Sequence, residues 1–184
     1  MSHAPRRWAA ELLHAWFHEL RPRDWWRQSD GVDAMLRRRF GPDLAMLASQ
    51  PASSFLQSPQ MALAAVLLFD QIPRNLHRKS AQAYAYDPLA REVANGALAR
   101  GYDRVLPGSR AQFLAMPLMH SEDMADQRRS LLAFRRINRG SNLAFARSHH
   151  RMIARFGRFP HRNPVLGRES TSAERRAVEA GFAW

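Results

Sequence analysis

The stretch that spans residues 156–163 contains the residue types best suited to bind a ligand. It combines Arg158, His161, Arg162 and Asn163 with two phenylalanines and a proline. Arginine and histidine enter a hydrophobic core only when specific partners compensate for their burial, whereas guanidinium groups donate paired hydrogen bonds that fit phosphate or carboxylate. We therefore predict that Arg158, Arg162 and Asn163 bind a ligand and that His161 transfers a proton, unless the stretch cross-links the fold.

A second polar stretch follows a run of apolar residues and has a similar composition. Its ligand-binding candidates are Asp70, Gln71, Arg74 and Asn75. Asp70 and Arg74 are four residues apart, but Pro73 is expected to stop a helix from continuing through them. The alternative interpretation is a salt bridge and a helix cap. Because both stretches should follow central helices, we predict that they meet in space and form one site.

The third candidate cluster contains His120, Glu122, Asp123 and Gln127. On a helix, His120, Asp123 and Gln127 would lie on one face at spacings of three and four. A histidine near two carboxylates can carry out general acid–base chemistry or bind a metal ion. The alternative is that Ser121, Glu122 and Asp123 cap the N-terminus of a helix. Capping does not explain His120, which is our first candidate for proton transfer.

The adjacent pair His149 and His150 forms a fourth candidate group, late in a predicted helix. Neighbouring positions on a helix point about 100° apart, so only one of the two can face inward. We predict that His150 does so, because it lies three residues before the apolar Ile153, and we include it among the ligand-binding candidates. Linear spacing does not bring His120, His150 and His161 together, so we predict neither a metal site nor a cofactor.

Two functional hypotheses remain. In the first, the candidates line a polar pocket for a small molecule that bears phosphate or carboxylate, with acid–base chemistry at histidine; such a pocket should not be occupied by protein carboxylates. In the second, the protein is a scaffold that binds an acidic protein segment, and the arginines are structural. The sequence lacks Gly-x-Ser-x-Gly, Walker, Gly-x-Gly-x-x-Gly and His-Glu-x-x-His motifs, so whether it is an enzyme stays open.

The composition predicts one globular domain over residues 1–184. Cysteine is absent, which excludes disulfides. No signal-peptide pattern is present, and the longest apolar run, 61–69, is too short to cross a bilayer, so we expect a cytoplasmic protein without membrane contact.

The net charge is +12, and Lys79 is the only lysine among 28 basic residues. The arginines are scattered along the chain, so we do not expect a nucleic-acid partner.

Helical signals dominate the sequence, and alternating strand patterns are missing. Gly41-Pro42 is expected to end the second helix, Pro117 to interrupt a short segment, and Thr171 with Glu174 to open the last helix as a capping box. The main predicted helices cover residues 8–20, 30–40, 59–72, 88–100, 122–137 and 142–156. The predicted class is all-α, with helices in antiparallel neighbouring pairs.

Several motifs resemble those of the bacterial DUF924 family. They are Trp16-Phe17 with Trp25-Trp26 and Asp33, Phe69 to Asn75, Pro117 to Asp123 with Gln127, and Phe156 to Asn163 with Leu166 to Thr171. Together they span nearly the whole chain. The resemblance implies a tetratricopeptide-like, right-handed superhelical stack of helices and, by analogy, a concave binding surface. It implies no particular activity.

Overall fold

The protein is built from helices throughout the part of the chain that the structure describes. This structure is a computed structural model, and it describes residues 7–137 and 141–182, which contain no strand. The α-helices are α1 (Arg7–His14), α2 (Asp30–Leu47), α3 (Pro59–Val66), α4 (Ile72–Leu76), α5 (Asp87–Ala99), α6 (Tyr102–Val105), α7 (Gly108–His120), α8 (Met124–Ile137), α9 (Ser141–Phe156) and α10 (Ser172–Glu179). The predicted all-α class is confirmed.

The centre of the fold is the continuous helical segment formed by α3 and α4. Every residue from 61 to 73 is buried, as expected for a segment that is apolar on nearly all sides. A π-helical turn, Leu67–Gln71, joins the two helices, and the Ile72 N–H donates to the Leu67 carbonyl. Ser58 caps the N-terminus of α3 with its side chain, as its sequence predicts.

Three prolines that should end or interrupt helices lie within them, so those predictions are wrong. Pro42 is inside α2, Pro117 is inside α7, and Pro73 lies in the first turn of α4. Proline needs no N–H partner in the first turn of a helix. Pro73 satisfies this condition because α4 begins at Ile72, directly after the π-helical turn. Pro42 removes one backbone hydrogen bond from α2. The helix continues because Phe40 and Leu44, on either side of Pro42, are buried in the core.

Helices pack in an order that brings the polar stretches together. α1 packs on α3, α2 on α4, α3 on α5 and α5 on α7, while α7, α8 and α9 are successive neighbours. A smaller apolar cluster of Met152, Ile153, Phe159 and Ala177 fastens the C-terminal segment. No described helix is both long and apolar enough to span a membrane. The tetratricopeptide-like stack and the single domain stay predictions.

Candidate functional site

The π-helical turn places Asp70 and Gln71 in the interior of the protein. The Asp70 side chain is fully buried, and its carboxylate accepts a hydrogen bond of 2.5 Å from the Gln71 Nε2. Two backbone carbonyls of this turn accept side-chain hydrogen bonds: Asp70 O from Arg74 and Gln71 O from Asn75. π-turns inside α-helices are frequent at functional sites. Here the turn fixes the buried Asp70 carboxylate beside the partly exposed Arg74.

Asp70 holds His120, which is the last residue of α7. The His120 Nδ1 lies 2.7 Å from the Asp70 Oδ1. The imidazole keeps 15% of its surface exposed, and its other nitrogen, Nε2, makes no hydrogen bond with any described residue. Burial alone would raise the pKa of Asp70, but the charges of Arg74 and His120 outweigh it and hold this pKa below its usual range. Asp70 is therefore ionised and accepts the His120 N–H.

Arg74 and Arg162 meet at Asp87, which begins α5. Arg74 donates to both Asp87 oxygens, over 2.8 and 3.0 Å, and lies 3.2 Å from Asp70 Oδ1. Arg162 donates to Asp87 over 3.3 Å and to the backbone carbonyl of His120 over 3.0 Å. The predicted meeting of the two polar stretches is confirmed. We call Asp70, Arg74, Asp87, His120 and Arg162 the charge centre.

Aromatic rings enclose the two guanidinium groups of the charge centre. The Arg162 guanidinium carbon lies 4.5 Å from the Tyr84 ring centroid and 4.6 Å from that of Phe159, and Arg74 lies 5.4 Å from Tyr84. Arg162 is only 6% exposed, and burial and the nearby Arg74 lower its pKa. Its buried Nε makes no hydrogen bond with a described residue.

The expectation that the arginines of the site avoid protein carboxylates is not met, because Asp87 contacts both. With two aspartates against two arginines, the charges of the centre balance when His120 is neutral. The accessible edge is formed by Arg74, Asp87 and His120, which keep 20%, 20% and 15% of their side-chain surfaces exposed. A ligand that reaches the charge centre from solvent would therefore have to contact this edge.

The histidine of α9 that faces inward is His149, so the prediction for His150 is wrong. His149 is 5% exposed, its Nδ1 donates to the Phe145 carbonyl over 2.9 Å, and its ring packs 5.4 Å from Phe159. The buried stripe follows Ala146, His149 and Ile153 at spacings of three and four, which excludes position 150. Burial, with the charge of His120, lowers the pKa of His149 to about 3.

His161 is the weaker of the two candidates for proton transfer. Burial, followed by the charge of Arg162, lowers the pKa of His161 to about 4. At neutral pH its imidazole is therefore a poor base. His120, with a carboxylate that orients it and an exposed edge, has the arrangement that general acid–base catalysis requires.

Other predicted ligand-binding residues are engaged in structural contacts. Glu122 binds Arg168 through two hydrogen bonds of 2.7 and 2.9 Å and accepts the Phe159 N–H, and these partners outweigh burial and lower its pKa. Arg158 binds Glu174 over 2.7 and 3.0 Å. These pairs join the C-terminal segment to α7, α8 and α10.

Asp123 and Gln127 also have structural positions. The prediction that they share one helical face with His120 is wrong, because α7 ends at His120 and α8 begins at Met124. Asp123, not Ser121, caps α8 by accepting the N–H groups of residues 125 and 126. Gln127 is buried and donates to the carbonyls of residues 119 and 121.

Two asparagines likewise stabilise their own segments. Asn163 is buried and donates to Ser170 over 3.0 Å, and Asn75 accepts a hydrogen bond from Arg78. No group of three or more histidines and carboxylates in the described residues could hold a metal ion. The candidates that converge are therefore Asp70, Arg74, His120 and Arg162.

Sequence reasoning missed Asp87, Tyr84 and Phe159 as members or neighbours of this site. Asp87 lies outside both polar stretches, directly before the predicted helix 88–100. One signal in the sequence points to such a residue. The two polar stretches contain more arginines than acidic residues, and a buried arginine requires a carboxylate, which must then come from another part of the chain.

Comparisons with known proteins agree with this architecture. The model of a family described as "Bacterial protein of unknown function (DUF924)" matches residues 12–181. The fold is similar to that of ATU0120, a protein of unknown function from Agrobacterium tumefaciens, with a TM-score of 0.88, 35% identity, and coverage of 94% of this chain and 97% of that chain. No curated protein matches the chain. Because this family model matches nearly the whole chain, from residue 12 to residue 181, the chain belongs to the bacterial DUF924 family.

Proposed function

We propose that the charge centre binds a small molecule that bears phosphate or carboxylate, and that His120 transfers a proton to or from it. The observation that carries the proposal is the 2.7 Å contact between His120 Nδ1 and the buried Asp70 carboxylate. A carboxylate at Nδ1 fixes the tautomer that carries its proton there, and it leaves the Nε2 lone pair pointing away. Nε2 is then the acceptor that faces a ligand at the exposed edge.

The same contact makes the protonated state of His120 chemically useful. When Nε2 takes a proton, the resulting imidazolium stays hydrogen-bonded to the ionised Asp70, as in other histidine–carboxylate pairs that act as acid and base. The charge centre then carries one net positive charge. An anion at the exposed edge would compensate for it, with Arg74 as the accessible forked donor. Anion binding should therefore be coupled to proton uptake.

The experiment measures melting temperatures with inorganic phosphate, succinate and a nucleoside monophosphate at pH 6 and pH 8. We expect at least one of these probes to raise the melting temperature, and a rise that differs between the two pH values shows that proton and anion bind together. His120→Gln should remove the rise, since glutamine cannot take up the proton. Arg158→Gln is the control, because Arg158 forms a structural pair with Glu174; it should lower stability without changing the rise.

A second readout separates binding from stability. In a ¹⁵N spectrum of the histidine side chains, the Nε2 signal of His120 should move when phosphate is added, and the His149 signal should not. If none of the probes alters the melting temperature or the His120 signal, the charge centre is a structural cross-link.

We also propose that the helices form the tetratricopeptide-like stack that the family resemblance implies and that the protein works in the cytoplasm. The pairwise packing of α3 on α5, α5 on α7 and α8 on α9 supports the first proposal. The cytoplasmic location is supported by the lack of cysteine, a composition that fits a reducing compartment. Fractionation of cells that produce a tagged protein tests the location.

A further inference from the structure

The outer face of α8 and α9 carries exposed arginines that no carboxylate neutralises. They are Arg128, Arg135, Arg147, Arg151 and Arg155, which we call the outer arginines. The first four make no hydrogen bond or ion pair with any described residue, and Arg155 stacks on the Phe156 ring. Together they place five positive charges without an acidic partner on two neighbouring helices.

The sequence around this face explains why the charge stays uncompensated. No aspartate or glutamate occurs between Asp126 and Glu169. Asp126 itself is buried and lies 3.3 Å from Arg91 of α5. Some exposed arginines elsewhere are paired with acids, as Arg39 is with Glu19, whereas Arg27 and Arg38 have no acidic partner among the described residues. The outer face differs because its five unpaired arginines lie in a stretch of the sequence, residues 127–168, that contains no acid.

Helix geometry arranges the outer arginines in two rows. Arg128 and Arg135 are seven residues apart on α8, which is two helical turns, and Arg147, Arg151 and Arg155 repeat every four residues on α9. α8 packs on α9, so the two rows lie on neighbouring helices. These five arginines therefore belong to one region of the fold, whereas the expectation of no nucleic-acid partner rested on arginines scattered along the chain.

The chemistry of the face selects one class of partner. Leu132 of α8 and Phe145 of α9 are the large exposed apolar residues of these two helices, and the other exposed positions between the arginines are alanines. Protein interfaces use clusters of aromatic or apolar anchors, and membrane-bound helices use a continuous apolar face, whereas the exposed surface here consists mainly of arginine. Phosphate backbones need only positive charge, because counterion release supplies the affinity. We propose that the outer arginines bind the phosphate backbone of a nucleic acid without sequence specificity.

This proposal is independent of the charge centre, and its experiment uses the intact protein with a fluorescein-labelled DNA duplex of 20 base pairs. Binding is followed by anisotropy between 50 and 200 mM salt. We expect the logarithm of affinity to fall with the logarithm of salt with a slope of about −4.5, as for about five phosphate contacts. The double substitution Arg147→Gln and Arg151→Gln should make the slope shallower by about 2 and reduce affinity about tenfold or more at 50 mM salt.

The matched control is the double substitution Arg27→Gln and Arg38→Gln, which removes the same charge from exposed positions outside the face. It should leave the slope unchanged. Equal effects of the two double variants would show that net charge alone attracts the duplex, and would overturn the proposal. Two further results would overturn it. One is tighter binding to a poly-glutamate chain of equal charge than to the duplex, and the other is binding to phosphatidylserine vesicles but not to the duplex. Circular dichroism confirms that each variant is folded.

Discussion

The charge centre and the outer arginines use the same residue type in opposite environments. Arg162 is buried, lies between two aromatic rings and donates to Asp87 and to a backbone carbonyl. Arg147 and Arg151 are exposed and make no such contact within the described structure. A buried guanidinium loses its hydration and must be compensated by fixed acceptors, whereas an exposed one keeps its water. The number of arginines in a sequence therefore predicts function only after the fold has divided them into these two groups.

The largest test of this comparison removes the buried acceptor. Asp70→Ala should lower the free energy of unfolding by about 3–5 kcal/mol, because it leaves the buried charge of Arg74 partly uncompensated and removes the hydrogen bond to His120. Urea denaturation of the wild type and the variant measures this difference.

The control for that test is Asp33→Ala. Asp33 accepts two hydrogen bonds from the exposed Arg78, so its loss should cost at most about 1 kcal/mol. Similar costs for the two variants would mean that burial does not distinguish the two kinds of arginine partner.

The fold was largely predictable because its signals are local. Ser58 and Thr171 cap helices as their sequences indicate, and the apolar segment of α3 is buried. The errors concern prolines 42, 73 and 117, where propensity predicts an end and tertiary packing keeps the helix. Propensity is a local free energy of a few kcal/mol; the burial of a complete helical face exceeds it, and that burial depends on partners distant in sequence.

The site was predictable as a set of residue types but not as a geometry. Asp70, Arg74, His120 and Arg162 were all candidates, and they converge. Arg158 and Glu122 were candidates of the same chemical type, yet they form structural pairs with Glu174 and Arg168. Nothing in the linear sequence assigns a particular carboxylate to a particular arginine sixteen or forty-six positions away, because that pairing follows from how helices pack.

A second test of the interior concerns pH. The pKa of His149 is about 3 and that of His161 about 4 in the folded protein, below the ordinary histidine value of about 6.5. The folded state then binds fewer protons than the unfolded state, so stability is complete above pH 6.5 and is lost as the pH falls. For His149 the loss should be about 2 kcal/mol between pH 6.5 and pH 5, at about 1.4 kcal/mol per pH unit.

Urea denaturation at pH 7, 6 and 5 measures this loss, and His149→Gln is the comparison that isolates one histidine. The variant should be less stable at pH 7 but should lose less stability on acidification. Glu174, whose pKa the Arg158 hydrogen bond lowers to about 2, affects stability only below this range. A wild-type stability that is constant from pH 7 to pH 5 would contradict the burial assigned to the two histidines.

A smaller effect should distinguish structural pairs from the charge centre. Thr171 accepts the Glu174 N–H, while Glu174 accepts the Thr171 N–H, which forms the capping box of α10. Thr171→Ala should lower the free energy of unfolding by about 1 kcal/mol. It should leave any phosphate-induced rise in melting temperature unchanged, because α10 does not contribute to the charge centre. A lost rise would show that the C-terminal pairs and the charge centre act as one unit.

The smallest effect on stability is expected at the outer arginines. Arg147→Gln with Arg151→Gln should change the free energy of unfolding by less than about 0.5 kcal/mol, as surface substitutions without specific contacts do. At low salt the change should be stabilising, because Arg147 and Arg151 are like charges four residues apart on α9 and repel each other. At 0.5 M salt this gain should vanish through screening. Urea denaturation at 20 mM and 500 mM salt measures both values. A loss of about 2 kcal/mol or more would mean that these arginines hold the fold together, which would place them with Arg162 and remove the contrast between the two groups.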